Sequence, residues 1–130
     1  MYLYSALGNN DKAYLLARAI QFFAPGIPQV YYVGMLAGVN DIGLMEETKN
    51  GRDINRHYYS KEEISDNFKN RKIVNDIREL MKLRNSNKAF GLNGECKTEV
   101  NGSEIKITRK CGEYTAILKA DLKTHDFTIE

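Results

Sequence analysis

The chain has 130 residues, of which 42% are hydrophobic and 28% are charged, so it can form a globular domain with a buried core and is too apolar for a disordered chain. The net charge of +2 comes from 19 basic and 17 acidic residues, and this weak, mixed balance argues against nucleic acid or an anionic membrane as a partner. No apolar run approaches the roughly 18–20 residues that span a bilayer.

The first predicted element is an amphipathic helix of about three turns that begins near Asn9-Asn10-Asp11, where the side chains suit an N-cap. Its apolar face is formed by residues that recur at helical spacing, namely Tyr14, Leu15, Ala19, Phe22 and Phe23. Pro25 and Gly26 follow and predict its end. The helix leads into residues 27–33, IPQVYYV, a β-branched and aromatic run typical of a strand that is buried on both faces. Together they predict an α/β unit.

Residues 34–59 form a long segment without a clear period, which contains four glycines. Loops longer than about 12–15 residues are uncommon in compact domains and are often functional. Residues 41–47 within it predict one or two helical turns. The segment ends on NGRDINRHYY, residues 50–59, which concentrates polar and aromatic groups and therefore indicates either a solvated loop or a site for a polar ligand.

Ser60 and Glu63 fit a capping box and predict the start of a short helix, and an apolar stripe predicts a second helix over 73–86. From Gly91 onward the pattern becomes β-rich, at 95–100, 103–109, 113–120 and 127–130. Asn101-Gly102 predicts a two-residue hairpin turn, with further turns at 111–112 and 121–124. These features predict an antiparallel meander, and hence an α/β region followed by a small antiparallel β domain.

No nucleotide-binding, phosphate-binding or metalloprotease motif is present, and His57 and His125 lie far apart without a motif around them. No catalytic residue, metal site or cofactor is therefore predicted. Cys96 and Cys111 form neither a metal motif nor a disulfide framework and are predicted to be free thiols. Together with a first dozen residues that lack signal-peptide features, this predicts a cytoplasmic protein.

Two stretches, QFFAPGIPQVYYVGMLAGVND and NGRDINRHYY, resemble the C-terminal part of sucrose phosphorylases, which belong to glycoside hydrolase family 13 in the α-amylase-like clan. The resemblance covers most of the chain and fades after Phe90. It implies the C-terminal portion of a catalytic (β/α)8 barrel over 1–89 and a small antiparallel domain, shorter than usual, over 90–130. Residues 11–23 would be the seventh barrel helix, 27–33 the eighth strand and 34–59 the loop that follows it. Such loops carry the active sites of this fold.

The reaction implied by the resemblance is the phosphorolysis of sucrose to α-glucose 1-phosphate and fructose, with retention through a covalent intermediate. Retention needs two carboxylates about 5 Å apart, and in the family these residues come from barrel strands that precede residue 1 here. The resemblance therefore implies no catalytic residue in this chain, which is expected to be inactive alone. The implied partners are sucrose, its glucose moiety and phosphate.

Arg52 matches the family arginine at the floor of the glucose subsite, where a planar guanidinium can donate to a sugar hydroxyl beside a carboxylate. Composition alone would favour a solvated loop arginine. Asp53 is expected to brace Arg52 or Arg56, and His57 to be a satisfied loop histidine. Asn40 and Asp41 are expected to shape the loop, and the tyrosines at 31, 32, 58 and 59 to pack.

Three alternatives remain open at this point. The enzyme could be a related glucosyl phosphorylase, or a sucrose-hydrolysing enzyme, with another acceptor. The chain could instead be a non-catalytic carbohydrate-binding module that uses its meander, although the meander offers only Tyr114 and Phe127 as aromatic platforms. An exposed edge of the strand at 27–33 would also allow self-association.

Overall fold

Helices occupy most of the first 90 residues of the computed structural model, which describes residues 1–130. The α-helices are α1 (Leu3–Ala6), α2 (Asp11–Phe23), α3 (Tyr32–Met35), α4 (Ile42–Thr48), α5 (Lys61–Asn70) and α6 (Lys72–Ser86). Short 3-10 helices lie at Gly51–Asn55 and Lys88–Phe90. The helices predicted near 11–23, 41–47, 60 and 73–86 are therefore confirmed.

The strand predicted at 27–33 is wrong. Residues 27–31 have no regular structure, and α3 begins at Tyr32. The expectation that Tyr31 and Tyr32 lie in a strand core fails with it, because they are 53% and 42% exposed. A parallel strand forms only where neighbouring strands pair with its backbone, and the four strands of this chain pair only with one another. The edge through which self-association was predicted is consequently not formed.

The chain forms two compact units, and the first consists of Met1–Tyr14 and Val30–Arg78. Within it, Tyr4 and Tyr14 meet edge to face with ring centroids 5.2 Å apart, and the Tyr14 hydroxyl donates to the Gly34 carbonyl at 2.7 Å. The buried apolar residues of this unit are Tyr2, Tyr4, Ala13, Tyr14, Val33, Leu36, Ala37, Ile73, Val74 and Ile77. Three of its core residues are tyrosines, so this core depends on hydrogen bonds made by its own side chains.

Local polar contacts mark the starts of three helices of the first unit, α2, α4 and α5, whereas α1 and α3 have no side-chain cap. The Asn10 side chain accepts from the Ala13 amide at 3.0 Å at the start of α2, and Asp41 accepts from the Leu44 amide at 2.9 Å at the start of α4. Ser60 and Glu63 form the predicted capping box at α5. Because α5 buries none of its residues, its cap is the main local determinant of where it begins.

The second unit, Leu15–Gln29 and Glu79–Glu130, contains the predicted antiparallel meander. Its strands are β1 (Glu95–Asn101), β2 (Glu104–Cys111), β3 (Tyr114–Asp121) and β4 (Phe127–Ile129), in the spatial order β1-β2-β3-β4. The pairing of Ile107 with Leu118 places both side chains on one face, since partners directly opposite share a face. Both residues are buried, so this face of the sheet forms part of the core of the unit.

The first hairpin turn is shifted by one residue from its predicted position. Asn101 pairs with Glu104, so the two loop residues are Gly102 and Ser103, and Asn101 belongs to β1. Gly102 has a φ of 60°, whereas Asn101 has no positive φ. Only the first loop residue therefore needs the left-handed conformation, as in a type II′ turn with glycine in that place.

A buried arginine in the second unit contacts the C-terminal end of α2. Arg109 is 2% exposed, and its guanidinium donates to the carbonyls of Phe23 at 3.2 Å and Ala24 at 2.8 Å. Arg84 donates to the Gly26 carbonyl at 2.7 Å. Because α2 has no basic residue in its own last turn, these two side chains supply the positive charge that favours a helix C-terminus.

The division of the chain into a barrel portion at 1–89 and a β domain at 90–130 stays a prediction.

No helix of the structure is both long and apolar enough to cross a membrane.

Candidate functional site

The segment that sequence singled out, 50–57, is an ordered turn rather than an open loop. Asn50 caps the 3-10 helix at Gly51–Asn55, with its side-chain oxygen accepting from the Arg52 amide at 3.1 Å. Asp53 is 9% exposed, and its Oδ1 lies 3.4 Å from both Arg56 Nη1 and the side-chain nitrogen Nδ2 of Asn50. The predicted brace by Asp53 is therefore directed at Arg56, and it fixes the turn from inside.

Arg52 is exposed at the outer side of this turn. Its backbone amide is held by Asn50, while its guanidinium makes no hydrogen bond or ion pair within the chain. All five N–H donors of the guanidinium are consequently open to oxygens from outside. The backbone is thus fixed and the side chain is free, which suits a residue that receives an external ligand.

Besides the Asn50 amide, which donates to Thr48 Oγ1 at 3.3 Å, four contacts tie segment 50–57 to its surroundings in the first unit. The Asp41 amide donates to the Ile54 carbonyl at 2.9 Å, and the Tyr2 hydroxyl donates to the Asn55 carbonyl. The Tyr32 hydroxyl donates to the His57 carbonyl at 3.0 Å. The fourth contact is made by the His57 ring, and it is the only one that involves a group able to titrate near neutral pH.

His57 lies between two carboxylates. Its Nδ1 is 2.7 Å from Asp41 Oδ2, and its Nε2 is 3.3 Å from Glu63 Oε1. We call this set of three residues the His57 bridge. The hydrogen bond to Asp41, followed by the contact with Glu63, raises the pKa of His57 above its ordinary value of 6.5, against the opposing effect of burial. The prediction of a satisfied loop histidine is confirmed, since both ring nitrogens have partners.

Both carboxylates of the bridge also cap helices. Each has one oxygen on His57 and the other on a backbone amide, that of Leu44 for Asp41 and that of Ser60 for Glu63. These amides, with His57 second, lower the pKa of both acids. A general acid at neutral pH needs a raised pKa, so this pair is suited to holding structure and not to protonating a leaving group.

Aromatic rings surround the other side of His57. Tyr59 meets the His57 ring with centroids 4.6 Å apart, and Tyr32 meets Tyr59 at 6.2 Å. Tyr31 lies 4.5 Å from Tyr32. The predicted packing therefore holds for Tyr59, whereas Tyr58 is 76% exposed and projects its ring into solvent.

A cavity of ≈ 700 Å³ opens beside the bridge. His57 and Asp41 form part of its wall together with Tyr59, Asn67 and Arg71, while Arg52 is not among its lining residues. Arg71 is already occupied, because its guanidinium donates to the carbonyls of Leu36 at 2.8 Å and Ala37 at 3.1 Å. The cavity and the free guanidinium of Arg52 are thus separate features of the first unit.

Gly38 and Tyr59 pack closely together in the wall of this cavity. A Cβ atom at Gly38 would lie 2.4 Å from the Tyr59 hydroxyl and 2.3 Å from Val33 Cγ1. These separations are far below van der Waals contact, so the Tyr59 side chain can reach this position only over a glycine.

The structure brings together most of the residues that sequence had singled out in this region. Asn40 shapes the chain as expected, with its side-chain oxygen accepting from the Tyr2 amide at 2.8 Å. His125 lies in a turn of the second unit with a φ of 62°. The sequence did not predict the contact of Glu63 with His57 or the hydrogen bonds from Arg71 to the carbonyls of residues 36 and 37. These contacts join residues 6, 34 and 35 positions apart, so they leave no local pattern. No group of three or more potential metal ligands is present.

Comparison with known proteins gives a consistent set of relatives, although no family model matches the chain. It is 52% identical over 126 residues to a sucrose phosphorylase of Streptococcus mutans, covering 96% of this chain and 26% of that protein. It is 48% identical over 119 residues to a glucosylglycerol phosphorylase of Marinobacter adhaerens, covering 92% of this chain and 24% of the relative.

A solved structure agrees with these sequences. The crystal structure of sucrose 6F-phosphate phosphorylase from Thermoanaerobacter thermosaccharolyticum superimposes with a TM-score of 0.91 at 49% identity, covering 98% of this chain and 25% of that one. The chain thus spans about a quarter of the length of the relatives that it matches. By this similarity along nearly its whole length, the chain belongs to the sucrose phosphorylase family.

Proposed function

We propose that this chain is the C-terminal part of a sucrose phosphorylase-like retaining glucosyltransferase, and that Arg52 contacts the glucose moiety of the substrate. The reaction is the transfer of glucose from sucrose to phosphate, which yields α-glucose 1-phosphate and fructose. The two carboxylates that a retaining mechanism needs are supplied by the rest of such an enzyme. The chain alone is then inactive.

The observation that carries the proposal is the state of Arg52, together with 52% identity to a sucrose phosphorylase. The side chain is exposed and its guanidinium has no partner in the chain, while its backbone is fixed by Asn50 and the buried Asp53. Ordering the turn in advance lowers the entropy cost of binding. A guanidinium in this state is ready to donate to a sugar hydroxyl or to pair with a carboxylate.

The acceptor is a separate question. The identities to a sucrose phosphorylase, a glucosylglycerol phosphorylase and a sucrose 6F-phosphate phosphorylase are 52%, 48% and 49%, although the three names indicate different leaving groups. This part of the protein therefore does not distinguish between them. It contributes to binding the glucose moiety that the three substrates share. Specificity for the group attached to glucose is provided elsewhere in the enzyme.

The test is a chimeric enzyme in which this chain replaces the matching quarter of the Streptococcus mutans sucrose phosphorylase. The chimera should release α-glucose 1-phosphate from sucrose and phosphate. Arg52→Lys should lower kcat/KM by about 10- to 100-fold, as expected for loss of hydrogen bonds to a charged group. Arg78→Lys, at an exposed position of α6, is the matched control and should leave kcat/KM unchanged.

Each result bears on a different part of the proposal. A folded chimera without phosphorolysis would contradict the assigned function. An active chimera in which Arg52→Lys behaves like Arg78→Lys would contradict the role of Arg52 alone. Turnover of sucrose by the isolated chain would show that the catalytic carboxylates lie within it.

A second candidate is a non-catalytic carbohydrate-binding module, which is favoured by the exposure of Tyr31 and Tyr58. Exposed aromatic rings are the usual platforms for sugars in such modules. The meander is less suited to this role, because Lys88 Nζ lies over the Tyr114 ring, 5.0 Å from its centroid. Calorimetry of the isolated chain with glucose and sucrose separates the two functions, since only the module would bind either sugar measurably.

A further inference from the structure

We propose that His57 is a positioning residue for Arg52, and that it holds the arginine in place through its simultaneous contacts with Asp41 and Glu63. This inference rests on the proposed role of Arg52 in glucose binding. It adds a residue that is not expected to touch the substrate.

The first argument is the path from one residue to the other. Arg52 lies in the 3-10 helix at Gly51–Asn55, and His57 lies two residues after the end of that helix. The other ties of this segment are made by its backbone groups, at Asn50, Ile54, Asn55 and His57 itself. The bridge adds the only anchor made by a side chain of the segment, and it connects the segment to the starts of both α4 and α5.

The second argument is the proton count. A neutral imidazole has one N–H and one lone pair, so it can donate to only one carboxylate. Here both nitrogens face carboxylate oxygens, at 2.7 Å from Asp41 and 3.3 Å from Glu63. The observed geometry is therefore satisfied by the imidazolium ion, and deprotonation turns one of the two contacts into repulsion between lone pairs.

The other titratable groups near His57 do not compensate for that change. On the aromatic side these are Tyr32, Tyr58 and Tyr59, whose groove with His57 is mainly apolar. Burial raises the pKa of Tyr32 to about 12 and also raises that of Tyr59, so Tyr32 and Tyr59 stay neutral. On the cavity side Arg71 is the one lysine or arginine among the lining residues, and its guanidinium is already bound to carbonyls.

The direction of the pH effect follows from the shifts. The pKa of His57 is raised, so its contribution to stability is complete below 6.5 and is lost as the pH rises through the folded value. The pKa values of Asp41 and Glu63 are lowered from 3.8 and 4.5, so their contribution is present above 4.5 and is lost in acid. The bridge is strongest between about pH 4.5 and 6.5.

The chain itself offers a test that does not need activity. Proton NMR of the isolated chain should give a midpoint above 6.5 for the His57 ring, and Asp41→Asn and Glu63→Gln should each lower it. Both variants keep the helix caps, because asparagine is a good N-cap and glutamine serves in a capping box. A midpoint that neither substitution moves would overturn the bridge.

Positioning is measured by amide exchange at Arg52 and Asp53, corrected for the intrinsic effect of pH. Both amides should be better protected at pH 6 than at pH 8 by up to about fivefold, as expected for a partly exposed ion pair. His57→Asn keeps a donor near Asp41 but does not titrate, so this difference should vanish. His125→Asn is the matched control, since asparagine tolerates its positive φ.

The chimeric enzyme then connects the bridge to function. His57→Asn should raise KM for sucrose and flatten its dependence on pH between 6 and 8, while His125→Asn should not. If the chimera is active and needs Arg52 but shows the same pH profile with His57→Asn, this inference fails and the proposed function stands. If the chimera is inactive although the NMR results hold, the proposed function fails and the bridge stands.

Discussion

The two units of the chain hold themselves together by different means. In the second unit, the four strands of a sheet pair with one another and present an apolar face that includes Ile107 and Leu118. In the first unit there is no sheet, three core residues are tyrosines, and three of the helices begin at polar side-chain caps. The contrast shows that polar contacts at close range can order a region together with an apolar core, and that such contacts respond to pH and to single substitutions.

Leu118→Ala should have the largest effect of the substitutions considered, because it tests the apolar half of the contrast. Leu118 is 0% exposed in the central part of the sheet, and deleting a buried leucine side chain costs about 2–5 kcal/mol of the free energy of unfolding. Denaturant unfolding monitored by sheet amides would measure it. Leu122→Ala, at a turn position that is 44% exposed, is the control and should change the free energy by less than about 0.5 kcal/mol.

Gly38→Ala tests close packing in the first unit. The new methyl group would overlap Val33 Cγ1 and the Tyr59 hydroxyl, and overpacking of this kind costs about 1–3 kcal/mol. Gly43→Ala is the counterpart, since its nearest neighbour would be Asp41 Oδ1 at an ordinary 3.7 Å. It should stabilise α4 by about 0.4–1 kcal/mol. A neutral result for Gly38→Ala in thermal unfolding would contradict the close approach of Val33 and Tyr59 to Gly38.

Ser60→Ala tests the dependence of the first unit on caps. It removes the acceptor for the Glu63 amide and should cost about 1 kcal/mol, seen as faster exchange of the amides of α5. Ser65→Ala, at an exposed position inside the same helix, should slow that exchange slightly because alanine has the higher helix propensity. Equal effects of the two substitutions would contradict the view that the cap determines where α5 begins.

A change from pH 8 to pH 6 should have the smallest effect and should separate the units most clearly. Protonation of His57 strengthens the contacts with Asp41 and Glu63, so amides of segment 50–57 gain up to about fivefold protection. Amides of β2 and β3 should gain none after correction for intrinsic exchange, since their pairing involves backbone groups only. Equal gains in both units would indicate a general effect of pH in place of the bridge.

The same contrast explains what sequence could predict. The capping box at Ser60 and Glu63 and the alternation around Leu118 depend on neighbours a few residues away, so their patterns are visible in the sequence. The strand at 27–33 has the composition of a barrel strand, but its formation depends on partners at a distance, and composition does not show whether they are present. The hairpin at Gly102 was placed within one residue, which is the usual uncertainty of a register inferred from turn residues alone.

The residues of the candidate site also differ in whether their roles depend on local sequence or on distant contacts. Arg52 and its turn were singled out because NGRDINRHYY carries a recognisable family pattern. Asp41 and Glu63 were each assigned a local structural role, but their meeting at His57 depends on how the loop returns, over 16 residues in one case. A single sequence has no signal for such a contact.

The close approach of Tyr59 to Gly38 has a consequence for how this protein can evolve. The Tyr59 hydroxyl and Val33 Cγ1 lie where a Cβ atom of residue 38 would be, so residue 38 cannot gain a side chain while both neighbours keep their positions. In an alignment of the family, the two positions should covary: where residue 38 has a side chain, residue 59 should be shorter than tyrosine. Such a substitution would also widen the cavity beside His57, so drift at a glycine would be coupled to the shape of a neighbouring pocket.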